Sequence, residues 1–178
     1  VGKPDEMTSV EMLIAMIGLG RCLNAQGKHS HALQVMQDAS AFADKQSLPA
    51  HWDGRAIILS LKATAQKKLG QAAAALATFR QAGDIMIRVH GPDHPALANM
   101  HIGIGGTLND LNRPREALDQ YHHAERIIEG KQVQPGTLAR ILAGYGMAWG
   151  RLGDADKRDD YYRRALVELG TAKTAALV

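Results

Sequence analysis

The sequence predicts an all-α chain of four helical hairpins stacked as a solenoid. Three observations predict it. The 178 residues are 46% hydrophobic but only 4% aromatic, with 18 Gly. The apolar mass is Ala, Leu, Ile and Met, which favours closely packed helices, because strands draw on β-branched and aromatic residues. A pattern of small and large residues recurs four times, every 41–43 residues. Between copies the chain breaks sharply, as at "HGPDHPALA" from His90 to Ala98.

The copies align on a turn residue: Gly27, Gly70, Asn112 and Gly153. Seven residues before it stand Gly20, Ala63, Gly105 and Gly146, all small. Five after stand Ala32, Ala75, Ala117 and, in the last copy, Arg158; twelve after stand Ala39, Ala82, Ala124 and Ala165. Nine after come the large residues Met36, Phe79, Tyr121 and Tyr162. The small columns let two helix backbones approach, and the large residue fills the space beside them. Gly or Asn at the anchor supplies the positive φ that ends a helix. A lone hairpin cannot bury both its faces, so hairpins must stack.

The elements follow in order. The first hairpin takes helices near 8–26 and 29–45, and the second takes 52–69 and 72–89, after the break "SLPAHWD" from Ser47. Gly91 and Pro92 end the second hairpin, since Pro disfavours helix in the residue before it. Asp93 is the expected N-cap of the next helix and Pro95 suits its first turn. The third hairpin takes 95–111 and 114–130, and the fourth, after "KQVQPGT" from Lys131, takes 136–152 and 155–169. One domain over 8–169 is expected, with repeats near 8–46, 50–90, 93–131 and 134–169, and with 1–7 and 170–178 flanking it. The chain opens Val-Gly-Lys-Pro without Met, which suggests a piece of a longer protein.

Composition narrows the function. The net charge of +3 is mild and its Lys and Arg are scattered, so nucleic acid is not implied. No apolar run reaches the roughly 18 residues that span a bilayer. A signal peptide is not read either, so a cytoplasmic protein is expected. The single Cys22 excludes an intrachain disulfide. "GIGG" (Gly103 to Gly106) and "GYGMAWG" (Gly144 to Gly150) lack the preceding strand and glycine order of a dinucleotide loop. The eight His form no ligand set: His122 and His123 are adjacent, and Gly91 and Pro92 separate His90 from His94. His101 stands where other copies have Met16, Leu59 and Leu142, and reads as a partly buried, hydrogen-bonded residue. No nucleophile, base and orienter recur at readable spacing. The expectation is a non-enzyme without cofactor or metal.

The small columns and the "HGPDHPALA" linker resemble the tetratricopeptide repeat, in the longer form found in kinesin light chains. The resemblance covers roughly residues 8 to 169. It implies a right-handed superhelix whose first helices line a concave, peptide-binding groove, in a scaffold or adaptor. The paired Asn usual in the first helix of the kinesin type is missing: Ile17, Ser60, Ile102 and Ala143 stand at one position and Gly18, Leu61, Gly103 and Gly144 at the other. The Lys-and-Asn carboxylate clamp of some members is also out of register, so neither ligand class carries over.

If the first helices line a groove, the candidate partner-binding residues are Ile17, Arg21 and Asn24, then Thr64 and Lys67, then Asn99, Ile102, Gly106 and Asn109, then Arg140 and Met147. Ile, Met and Gly with a rim of Asn, Lys and Arg suit an apolar peptide or amphipathic helix. The competing reading packs these apolar residues between hairpins. The function expected is a protein-interaction module, with a regulatory domain of a larger signalling protein as the alternative.

The two ends differ. The last helix replaces the usual Ala and Leu with Arg158 and Asp159, a polar outer face, while Tyr162, Ala165 and Leu169 are expected to point inward. "VEMLIAMIGLGRCL", Val10 to Leu23, is apolar around most of its circumference. Its cover is expected to be either an upstream segment or a second copy of the chain.

Overall fold

The computed structural model describes the backbone of residues 4–48 and 52–175 and the side chains of 9–48 and 52–170. These residues form eight α-helices: α1 Pro4–Ala25, α2 His29–Asp44, α3 Gly54–Lys68, α4 Ala72–His90, α5 Ala96–Asp110, α6 Pro114–Ile128, α7 Thr137–Arg151 and α8 Ala155–Ala175. They fall into two compact units, Val1–Pro92 and Asp93–Val178, each holding two hairpins. The boundary lies inside "HGPDHPALA". Helix α1 starts four residues earlier than expected, at Pro4, whose fixed φ suits a first turn. Helix α8 runs on to Ala175, six residues beyond the expected end. The predicted break from Ser47 includes residues 49–51, which lie outside the described residues.

The four anchors share one local geometry. Gly27, Gly70, Asn112 and Gly153 have φ of 75, 77, 56 and 83°. In each copy the N–H of the next residue donates to the carbonyl five residues back: Lys28 to Leu23, Gln71 to Gln66, Arg113 to Leu108 and Asp154 to Trp149, at 2.9–3.1 Å. The anchor N–H donates three residues back, as Gly27 does to Asn24 at 3.1 Å. This paired 6→1 and 5→2 bonding satisfies the last carbonyls of the helix. The residue after each anchor then accepts the first bond of the second helix, as Lys28 does from Ala32 at 3.0 Å. Six residues, Leu23 to Lys28 in the first copy, thus end one helix and begin the next.

The break between units follows a different rule. Gly91, at φ 85°, stops α4. Asp93 does not cap α5. Pro95 holds the N-cap position, and the His94 ring takes the capping role, accepting from the Ala96 N–H at 3.3 Å. The backbone carbonyl of Asp93 instead accepts from Lys131 Nζ at 2.5 Å, tying the start of α5 to the segment after α6.

In the first unit one core cluster joins Leu13 and Ile17 of α1, Met36, Ala39 and Ala43 of α2, and Ile58 of α3. Ile57 and Leu61 of α3 pack against it. Each fully buried Leu, Ile or Met contributes roughly 1.5–3 kcal/mol. Arg55 of α3 reaches back across the hairpins, donating to Asp44 Oδ1 at 2.5 Å and to the Ala43 carbonyl at 2.7 Å. It thereby satisfies a terminal carbonyl of α2 with a cation.

In the second unit Tyr121 of α6 is central and 2% exposed. It packs on Gly105 of its own hairpin and on Gly144 of the next, where an added Cβ would in both cases run into the ring. Asn109 Nδ2 donates to its hydroxyl at 3.2 Å. Tyr145 of α7 donates to Glu125 Oε2 of α6 at 3.0 Å and stacks on Tyr161 of α8, centroids 4.9 Å apart.

Every small-column residue is buried: Gly20, Ala32, Ala39, Ala63, Ala75, Ala82, Gly105, Ala117, Ala124, Gly146 and Ala165. At the three glycines the large column supplies the cover: Met36 closes over Gly20, Tyr121 over Gly105 and Tyr162 over Gly146.

The ends depart from expectation at α8. Ala165 is buried, but Tyr162 and Leu169 are exposed, with Leu166 and Val167 beside them at 69% and 63%. In α2 the matching Met36 and Ala43 are buried because α3 packs over them. In α1, Leu13 and Ile17 turn into the core, whereas Met12, Ile14 and Leu19 stand 51–57% exposed.

Candidate partner-binding surface

The first helix of each hairpin offers the surface to be tested. In the first unit these are α1 and α3. Asn24, near the end of α1, donates from Nδ2 to the Leu61 carbonyl of α3 at 3.0 Å. Its Oδ1 lies 3.2 Å from His29 Nδ1. Asn24 is therefore a brace between hairpins as well as a half-buried edge residue. Arg21 is exposed, and Thr64 and Lys67 are half-buried. The Thr64 hydroxyl bonds the Ser60 carbonyl at 2.9 Å, which holds it against its own helix.

In the second unit the helices are α5 and α7. Arg140 of α7 donates from Nη1 to Asn99 Oδ1 of α5 at 2.9 Å. Desolvation lowers the Arg140 pKa from its ordinary value, although the side chain still reaches solvent. Asn99 also edges a cleft of about 240 Å³ whose polar lining includes Gln132, Gln134 and Thr137. Further along α7, Met147 is 41% exposed.

Four of the predicted groove residues are interior. Ile17 and Ile102 are 8% exposed, Gly106 is buried and Asn109 is 0% exposed. Ile17 belongs to the core on which α3 packs. Asn109 faces Tyr121, and its Oδ1 has no partner. The reason is geometric. The column of Ile17 and Ile102 points along the stacking direction, so a following hairpin covers it. The accessible surface is left to Arg21, Asn24, Thr64 and Lys67 in one unit and to Asn99, Arg140 and Met147 in the other.

The remaining sequence features resolve in place. Both glycine clusters lie inside helices, α5 and α7, and form no loop. His101 is half-buried with Nδ1 2.9 Å from Gln120 Oε1, and its ring lies 5.4 Å from that of His123. Burial lowers its pKa, the Gln120 contact opposes that shift, and His123 adds to it. Among the described residues no three His, Cys, Asp or Glu come together as a metal site, and no helix is long and apolar enough to cross a membrane.

Residues 54–129 match the family described as tetratricopeptide repeat. That stretch spans α3 to α6, less than half of the chain. No curated protein matches it. Solved structures do, at identities that speak for the fold alone. One is BtubC (BKLC) from P. vanneervenii, with TM-score 0.77 and 17% identity, covering 93% of this chain and 66% of that one. A second is a putative kinesin light chain from Podosopora anserina with nearly identical TPR-like repeats, with TM-score 0.67 and 15% identity, covering 91% and 76%. A third is a TPR-like protein from Chlorobium tepidum TLS, with TM-score 0.68 and 16% identity, covering 83% and 98%. Tetratricopeptide repeats commonly mediate protein–protein interaction, and the kinesin-light-chain likeness agrees with the long spacing of the anchors.

Proposed function

We propose that the chain is a protein-interaction module that takes an extended peptide of a partner protein on the α5/α7 face. The supporting observation is the Arg140–Asn99 pair. It joins a guanidinium to an amide, Asn99, that lines a cleft shared with Gln132, Gln134 and Thr137. Amide side chains match the donors and acceptors of a peptide backbone, and a guanidinium matches a carboxylate with two parallel donors. Met147 adds an adaptable apolar contact on the same helix.

A photo-crosslinking residue at position 99 tests this in the intact chain, with a control probe at the exposed position of His122 on α6. Partners should be captured from position 99, and Arg140→Ala should reduce that capture without changing the melting temperature. Capture from position 122 alone would place the partner on the second helices and reject the reading.

A further inference from the structure

The contact between consecutive hairpins has two halves. One half is a seat made by both helices of a hairpin. In the first unit it comprises Leu13, Ile17, Met36, Ala39 and Ala43, and Ile58 of α3 fills it. The other half is the α3 face that enters, with Ile57 and Leu61 beside Ile58. The repeat columns locate both halves elsewhere in the chain.

The seat recurs in α7 and α8. The five seat positions correspond there to Ala139, Ala143, Tyr162, Ala165 and Leu169. All five line one open apolar trough of about 400 Å³, with Leu166 at its lip. The entering face recurs in α1. The counterparts of Ile57, Ile58 and Leu61 are Ile14, Ala15 and Gly18, and all three are exposed. Met12 and Leu19 widen the apolar surface beside them.

The two halves also match in volume. Where the seat holds Met36, the entering helix brings Leu61. Where it holds Tyr121, the entering helix brings Gly144, so close that a Cβ would overlap the ring. A seat holding Tyr162 therefore calls for glycine in that column. Helix α1 has Gly18 there, and a Cβ on Gly18 meets nothing within 4 Å. Of the two entering faces within units, that of α3 brings a bulky residue and that of α7 brings glycine, so the match is a choice of size and not a general feature.

We propose that the chain associates head to tail with itself, α1 of one copy seated in the α7/α8 trough of a second, with Gly18 over Tyr162. Such a contact is heterologous. The end left open on each copy accepts another, so assembly continues past the dimer.

Sedimentation equilibrium of the 178-residue chain at rising concentration reads this out. The weight-average mass should climb with concentration without levelling at a dimer. Gly18→Leu places a bulky side chain where the Tyr162 ring must sit, on a helix face that is open in the single copy. Leu166→Glu puts a charge at the lip of the trough. Each variant alone should weaken self-association by more than about tenfold. Each keeps one intact half, so an equimolar mixture should recover a dimer and stop there. Circular dichroism at low concentration verifies that both variants are folded; Ile14→Glu replaces Gly18→Leu if that variant is not. A wild-type chain that stays monomeric overturns the proposal. So does a Leu166→Glu variant that still associates as wild type, which would mean that α1 meets another α1 or that the trough is seated by something other than this chain.

Discussion

The ring of Tyr121 rests on Gly105 so closely that a Cβ at position 105 would lie 2.7 Å from Cε1. Gly144 of the next hairpin approaches the same Cδ1–Cε1–Cζ edge of the ring, so the ring is crowded from two helices. Substitution at Gly105 sets two effects against each other. Ala in a helix interior gains about 1 kcal/mol over Gly. Overpacking a filled core costs about 1–3 kcal/mol. Gly105→Ala is expected to lower the melting temperature and Gly105→Leu to lower it further. Gly18→Ala, at a site where the same Cβ meets nothing, should raise stability by up to about 1 kcal/mol when measured at low concentration. Equal responses at the two glycines would show that the contact with Tyr121 is not what matters.

Asn109 and Tyr121 form a buried polar pair whose Asn109 Oδ1 is already unpartnered. Tyr121→Phe strands the Asn109 amide as well, which should cost about 1–3 kcal/mol. Adding Asn109→Leu removes the stranded groups while keeping a branched side chain of similar shape. Urea titration should find the double variant more stable than Tyr121→Phe alone. A double variant at the sum of the two single losses would contradict the pairing.

His101 carries a pH expectation whose sign is fixed. Its folded pKa is lowered from the ordinary 6.5, mainly by burial. Well above pH 6.5 it is neutral in both folded and unfolded chains and contributes no slope. As pH falls below 6.5 the unfolded chain takes up a proton that the folded chain resists, so stability is lost until the depressed folded pKa is passed. His101→Leu, the residue found in that column at Leu59 and Leu142, should flatten the fall in melting temperature between pH 7.5 and 5. An unchanged fall would mean that other groups set the acid sensitivity.

Asn112 is the one described non-glycine residue at positive φ, 56°, where the other three anchors are Gly. Asn112→Ala should cost roughly 1 kcal/mol, because both residues carry the Cβ that crowds the carbonyl in this conformation and only Asn offsets it by local side-chain bonding. Asn112→Gly should be neutral or slightly stabilising. Thermal melts of the two variants side by side would show the ordering.

What the sequence determined by itself was local. The anchors end helices because Gly and Asn reach positive φ, and the bonds that follow span only six residues, as from Lys28 to Leu23. The small and large columns were legible for the same reason, since both helices of a hairpin lie within one period and Met36 meets Gly20 across one turn. Tertiary structure decided which residues of the first helices reach solvent. Ile17, Ile102 and Asn109 share helix faces with Arg21 and Met147, and periodicity alone assigns them together. Ile17 is removed from the surface by a helix some forty residues onward, and Asn109 by the ring of Tyr121. Tyr162 and Leu169 show the converse. Their columns are buried in α2, where α3 covers them, and exposed in α8. Burial is a property of what packs above a residue, and in stacked hairpins that neighbour lies a full repeat away along the chain.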